Sequence, residues 1–325
     1  MFARHSVRGI QVIGKFISRV GGQRFTAERD GASVVEDLDR PFDILSPKEH
    51  REPFVFNSPH SGRYYPKAFV ESSRLDVSGL RRSEDTFVEQ LISPVVEMGV
   101  PVMHAHFPRA FLDVNREPYE LDPTLIAGSL PQYANTQSVR VVGGLGTIAR
   151  VVAESEEIYD TPLSLGEALG RIEKYYKPYH AALDRLVTSC ISRFGVAVLV
   201  DCHSMPSTSL YDTGGRRPDF VLGDRFSTSC NPEITRFVAA QLKARGYAVS
   251  FNKPYAGGYI TEHYGRPSSG KHALQVEINR ALYMDEAKYT RGRDFETVQD
   301  DIRSIAAAMI EILPSLLDAP RAAAE

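Results

Sequence analysis

The sequence lacks several signatures that would settle a class at once. No apolar run approaches the roughly 18 residues of a transmembrane helix, so no membrane span is expected. Cysteine is scarce: Cys190, Cys202 and Cys230 are odd in number and form no CxxC pair. That argues against a disulfide framework or a cysteine-rich zinc module and fits a reducing, cytoplasmic setting. Charge of one sign is also missing. A formal net charge of -3 and a pI near 6.3 give no electrostatic case for nucleic acid or an anionic membrane. The metalloprotease motif HExxH is absent. Gly143-Gly144-Leu145-Gly146 is not a phosphate loop, since no Gly-Lys-Ser/Thr follows. There is no internal repeat and no long linker, and nothing sets an oligomeric state.

What remains is ordinary globular protein: 325 residues, 42% hydrophobic and 24% charged. The first residues stand apart, with Arg4, Arg8, Lys15, Arg19 and Arg24 before the first acid, Glu28. Residues 1–45 read as a partly disordered N-terminal extension, and Ala322-Ala323-Ala324 as a frayed tail. Residues 46–318 read as a single α/β domain.

Within that domain, strands and helices alternate. Strands are expected at 53–57, 100–105, 196–201, 219–223, 247–251 and 272–278, with Pro101 limiting the second to an edge or a start. Ser83-Glu84-Asp85 reads as a helix start with Ser83 as N-cap, closed by Gly99. Residues 164–194 read as one helical segment that Pro178 should kink or split. Asn231-Pro232 opens a helix reaching about Arg245, and a last helix covers 295–318. The pattern predicts a three-layer α/β sandwich around a mixed, largely parallel sheet. Residues 106–150, rich in Pro, Gly and polar groups, read as a loop region that is functional or subdivided.

Two histidines sit just past apolar strand patterns: His60 in Ser58-Pro59-His60-Ser61-Gly62, and His203 in Asp201-Cys202-His203-Ser204. Reactive groups in open α/β sheets collect beyond the carboxyl ends of the strands. Zinc takes imidazole and carboxylate in three-ligand sites that leave one position open, so His60 and His203 are candidate ligands. Asp201 is placed to orient His203. Asp85 or Glu84 is the candidate third ligand, though both acids also suit a helix N-terminus. Glu277, ending an apolar strand pattern, suits a general base; a salt bridge to Arg280 is the plainer reading. Asn115 and Arg116 suit bidentate capture of a carboxylate, with Arg109 as a further anion contact. The segment 257–265, holding Tyr259 and His263 between glycines, reads as a lid. His104 and His106 form a minor rival metal site, and His180 reads as structural.

Taken in order, these segments resemble the N-formylglutamate amidohydrolase family. The likeness runs through Phe-Val-Phe-Asn-Ser-Pro-His-Ser-Gly ending at Gly62, Arg109, Asp113-Val-Asn-Arg, Tyr175-Tyr-Lys-Pro-Tyr-His, Val200-Asp-Cys-His-Ser-Met-Pro, Asp219-Phe-Val-Leu-Gly-Asp, Gly257-Gly-Tyr-Ile-Thr and Leu274-Gln-Val-Glu-Ile-Asn-Arg-Ala-Leu-Tyr-Met. It spans roughly residues 50–310 and implies a zinc-exopeptidase-like fold. It also implies hydrolysis of N-formyl-L-glutamate to formate and L-glutamate, a late step of histidine breakdown. The compact His-x-x-Glu ligand pair of the related zinc carboxypeptidases is not present, since Arg63 takes the acidic position. By position the resemblance implies His60 and His203 as ligands of one zinc ion, Glu277 as base, and Asn115 and Arg116 as carboxylate binders.

The expectation is therefore a metal-dependent amidohydrolase with a small N-acyl amino acid as its partner. Its metal ligands are His60, Asp85 and His203, its catalytic groups Glu277 and Arg109, and its substrate contacts Asn115, Arg116, Arg280, Tyr259 and His263. Two alternatives stay open. One is a deacylase or carboxypeptidase-like hydrolase for another N-acyl amino acid or peptide. The other is a protein that binds an acidic metabolite without turning it over.

Overall fold

The computed structural model describes residues 31–152, 156–208 and 217–318. The basic N-terminal arm and the alanine tail lie outside the described residues.

A seven-stranded sheet organises the chain. Its strands are β1 (Phe42–Leu45), β2 (Phe54–Ser58), β3 (Val102–Ala105), β4 (Ala197–Met205), β5 (Phe220–Gly223), β6 (Val249–Phe251) and β7 (Lys271–Asn279), in the order β6-β5-β7-β4-β2-β3-β1. The pairs β6–β5, β7–β4, β4–β2 and β2–β3 are parallel, while β7–β5 and β3–β1 are antiparallel. The main helices are α1 (Val88–Ile92), α2 (Leu165–Arg171), α3 (Lys177–Phe194), α4 (Pro232–Ala244), α5 (Tyr259–Tyr264) and α6 (Phe295–Asp318).

Side chains alternate across a strand, and here the alternation builds two cores. Phe54, Phe56, Val198, Val200, Leu274 and Ile278 turn to one face and pack with Leu91 of α1, Ile234 and Val238 of α4 and Val298, Ile305 and Met309 of α6. Val55, Ala197, Leu199 and Ala273 turn to the other and pack with Ala168 of α2, Tyr179, Leu183 and Val187 of α3 and Ile260 of α5. The result is the expected three-layer sandwich with a mixed, largely parallel sheet. On the second face the pattern changes toward the carboxyl ends of the strands, where Asn57, Asp201, His203, Gln275 and Glu277 replace the apolar residues while remaining buried.

Several local expectations are corrected. Residues 31–45 are part of the domain. Ser33–Val35 pairs in parallel with Tyr64–Pro66, β1 forms an edge of the main sheet, and Leu38 is buried in the core. Ser83 is not an N-cap: Arg81–Ser83 is a 3-10 turn, Phe87 adopts a left-handed φ of 68°, and only Val88–Ile92 is α-helical. The backbone there is pinned from outside, since Asp85 N–H donates to the His60 carbonyl at 3.0 Å. Of the two places expected for Pro101, an edge strand or a strand start, the structure shows the second: β3 lies inside the sheet and Pro101 stands just before it, where its missing N–H breaks no ladder bond. Pro178 does not break the helix: a π-helical turn at Ile172–Tyr176 leads into α3 and leaves Pro178 in its first turn. β4 runs on to Met205, so His203 stands within a strand and not in a loop after it. Residues 259–264 form α5, packed under Ile260, Thr261 and Tyr264, in place of an open lid loop.

Candidate metal centre

His60 leaves the end of β2 in a turn held by Ser58 Oγ donating to Ser61 Oγ at 2.9 Å. Gly62 lets this turn close, because a β-carbon there would collide with the backbone carbonyl of Phe107. From the other side, the segment between Ser83 and Phe87 lays Asp85 against the same spot. His203 arrives on β4. All three side chains are almost fully buried, at 1%, 1% and 3% exposure.

Their geometry suits the ligands of a metal ion. His60 Nε2 lies 2.8 Å from Asp113 Oδ1, and His203 Nε2 lies 2.9 Å from Asp201 Oδ2. A carboxylate on one imidazole nitrogen fixes that nitrogen as the proton-bearing one and leaves the other as a lone pair. Both remaining nitrogens face one carboxylate oxygen. His203 Nδ1 is 3.0 Å from Asp85 Oδ2, and His60 Nδ1 is 3.5 Å from it. His60 Nδ1 is buried and has no hydrogen-bond partner. An orphaned lone pair beside a carboxylate oxygen and a second imidazole is unfavourable unless a cation joins them. The residues present therefore fit a divalent ion held by two imidazoles and one carboxylate.

A second layer holds each ligand. Asn57 Nδ2 donates to Asp201 Oδ1 at 2.8 Å, and Tyr179 O–H in turn donates to Asn57 Oδ1. Arg280 Nη2 approaches Asp85 Oδ1 at 3.3 Å, and its Nε donates to Ser204 Oγ at 3.0 Å. Arg109 Nε donates to Asp113 Oδ2 at 2.9 Å, with Arg116 Nη2 at 3.6 Å from the same oxygen. Burial pushes the Asp113 carboxyl upward, but Arg116, His60 and Arg109 outweigh it and hold it well below the usual carboxylate range.

Glu277 stands beside the ligands by register. In the parallel β7–β4 pair it is the partner of His203, and Gln275 is the partner of Asp201. Gln275 Nε2 donates to Glu277 Oε1 at 2.8 Å. Burial raises the Glu277 carboxyl above its usual range, moderated by His203 and Arg109.

Of the two neighbouring acids, Asp85 enters the cluster and Glu84 turns away. Glu84 is taken by Arg81, whose Nε and Nη2 each donate at 3.0 Å, by Tyr65 O–H at 3.0 Å and by Thr86 Oγ1 at 2.9 Å. Asn115 and Arg116, expected to grip a carboxylate, both make contacts inside the protein. Asn115 Oδ1 accepts from Ile260 N–H at 2.8 Å and its Nδ2 lies 3.3 Å from His203 Nε2. Gly258 makes that placement possible, since any β-carbon there would strike the Asn115 carboxamide. Arg116 donates through Nε to the Leu145 carbonyl and through Nη1 to the Asn115 carbonyl. Arg109 differs: among the described residues only its Nε is engaged, and its side chain is partly exposed. Tyr259 and His263 stack on each other and border His180, and no hydrogen bond of the triad reaches them. His180 is held between the Val114 carbonyl and Tyr264 O–H. The sequence had singled out the Asp113 motif but not its bond to His60, which links positions 53 residues apart.

A family model for N-formylglutamate amidohydrolase matches residues 52–284. An N-formylglutamate deformylase of Pseudomonas aeruginosa is 29% identical over 276 residues, covering 85% of this chain and 96% of its own length. A protein of the same description from Pseudomonas putida is 29% identical over 248 residues, covering 75% and 86%. The crystal structure of N-formylglutamate amidohydrolase from Ralstonia eutropha aligns with a TM-score of 0.80 at 35% identity, over 85% of this chain and 99% of that one.

Proposed function

Because the chain belongs to the N-formylglutamate amidohydrolase family, we propose that it hydrolyses N-formyl-L-glutamate to formate and L-glutamate, with zinc held by His60, Asp85 and His203. The observation that carries this reading is the unpartnered, buried Nδ1 of His60 beside Asp85 and His203. A divalent ion there would supply Lewis-acid polarisation and lower the pKa of water.

The chain's own groups divide the remaining work. Asp113 and Asp201 keep the Nε2 protons of His60 and His203 in place, so that both Nδ1 lone pairs stay turned to Asp85. Glu277, neighbour of His203 in register, takes a proton from the attacking water and passes it to the departing amide nitrogen. Its raised affinity for protons suits both halves of that transfer. Arg109 turns its uncommitted terminal nitrogens to the oxygen that gains negative charge, or to a substrate carboxylate. Arg116 and Arg280 act as positioning residues through Asp113 and Asp85. The product L-glutamate suits the end of a histidine-degrading route, and the scarcity of cysteine suits a cytoplasmic enzyme. Among the described residues no helix is long and apolar enough to cross a membrane.

Formate release by zinc-loaded protein, with a chelated control, tests the proposal. N-formyl-L-glutamate is expected to react faster than N-acetyl-L-glutamate or a dipeptide, and chelation to stop the reaction. Zinc-loaded protein that releases no formate would remove this assignment; faster turnover of a larger acyl group would move it to a related deacylase.

A further inference from the structure

A second convergence of metal-type donors lies where β1 pairs with β3. Asp43 of β1 and His104 of β3 are register partners, and His106 follows two residues later. Met103 and Ala105 point into the core with Val55 and Leu199, so alternation carries His104 to the opposite face. One ligand atom from each of Asp43, His104 and His106 lies within 4.8 Å of the others. A tetrahedral ion with bonds of about 2.1 Å needs ligand atoms roughly 3.4 Å apart, and one pair already meets this, His106 Nε2 and Asp43 Oδ2 at 3.3 Å. The side chains of Asp43 and His106 are 32% and 15% exposed, which leaves both room to rotate and an entry path.

The hydrogen bonding around His106 points to a cation. Its Nδ1 lies 3.0 Å from the Arg40 carbonyl, which only accepts, so Nδ1 carries a proton. In the neutral ring Nε2 is then a lone pair facing a carboxylate oxygen. The two repel unless a proton or a metal ion stands between them. A proton would serve His106 and Asp43 but not His104. His104, across the ladder from Asp43, brings a third donor to the same spot, which an ion would engage and a single proton would not. The surrounding charges orient this set. Arg40 Nη2 holds Asp43 Oδ1 at 3.2 Å and leaves Oδ2 to the histidines, and Arg63 is paired with Glu89 at 3.7 Å.

We propose that Asp43, His104 and His106 form a second divalent-ion site, of the imidazole-binding transition-metal class such as zinc or nickel, that clips edge strand β1 to β3. Imidazole with carboxylate suits these ions over magnesium or calcium, and water would complete the shell. The site uses no group of the centre described above and does not rest on the reaction proposed for it.

Zinc titration of chelator-stripped full-length chain, with bound metal counted after dialysis, tests the site. Two zinc ions per chain are expected for the native protein, and one for His106→Gln, Asp43→Asn or His60→Gln. Zinc should raise the Tm of His60→Gln but not of His60→Gln/His106→Gln, and formate release by His106→Gln at saturating zinc should match the native rate. Should the variants fold poorly, zinc protection of His106 in the native chain against diethyl pyrocarbonate, mapped by mass spectrometry, gives the same answer. A native stoichiometry of one, an unchanged metal content in both His106→Gln and Asp43→Asn, or no zinc protection of His106 would overturn the proposal.

Discussion

Two clusters in this chain carry the same donors, two imidazoles and one carboxylate, in very different settings. His60, Asp85 and His203 are almost fully buried, and each histidine is anchored by a further carboxylate. Asp43, His104 and His106 lie at a sheet edge, partly exposed, and the outer nitrogen of His106 is anchored by a backbone carbonyl in place of a carboxylate. A backbone carbonyl fixes the tautomer of a ring, but an ionised carboxylate also makes the ring more basic. Around the buried cluster Asp113, Asp201 and Glu277 gather beside the ligands, balanced by Arg109, Arg116 and Arg280. The donor set alone marks where an ion can sit. The second layer of charge, and a buried carboxylate such as Glu277 beside it, is what would separate the proposed reactive centre from the proposed clip.

Substitutions should widen that contrast. The largest effect is expected from His60→Gln or His203→Gln, which should take formate release to background and remove one zinc ion. Substantial residual turnover in either would undo the assignment of the buried cluster. Glu277→Gln should lower kcat by roughly 10²- to 10⁴-fold while zinc content stays native; near-normal kcat would end the base role. Asp113→Asn and Asp201→Asn should weaken zinc affinity at the buried centre by about 10- to 100-fold, measured by competition with a chelator. An affinity unchanged in both would mean that the outer carboxylates do not tune the ligands.

A third buried imidazole sharpens the comparison by having no cation role. Burial lowers His272 to about 4, and its Nδ1 accepts from the Asn231 N–H at the start of α4. Above about pH 6.5 the ring is neutral whether folded or unfolded, and its contribution is complete. As pH falls from 6.5 toward 4 only the unfolded chain takes the proton, so stability declines across that window. The loss from this one group is on the order of 3 kcal/mol. Denaturant titrations of native protein and His272→Gln should therefore converge or cross on going from pH 7 to pH 4.5; parallel curves would refute the assignment.

Much of the sheet was legible because its strands carry unbroken apolar runs bounded by polar turns, as at 53–57 and 196–201. The run into β4 was read short, since Cys202, His203 and Ser204 look like loop residues until their burial in the strand is seen. Both histidines of the buried cluster could be singled out from strand ends. Asp85 could not be separated from Glu84, because the choice is made by Arg81 and Tyr65, which claim Glu84 through contacts that spacing does not reveal. Asn115 and Arg116 were read as substrate binders from side-chain chemistry, yet their partners are set by α5 and the segment around Leu145. The edge strand β1 was missed because Asp43 interrupts its apolar run and prolines and charged residues flank it on both sides.

The pairing of β4 with β7 has a consequence for how such a protein can change over time. His203 and Glu277 are 74 residues apart in the chain yet share one rung of a hydrogen-bonded ladder. A slip of one residue would turn either side chain to the opposite face, so their separation is set by the pleat and not by the connections around them. Insertions in the intervening surface segments can reshape what enters the site while leaving that rung intact. Variation in substrate would thus be free to accumulate in the loops, while the spacing of His203 and Glu277 is inherited with the sheet.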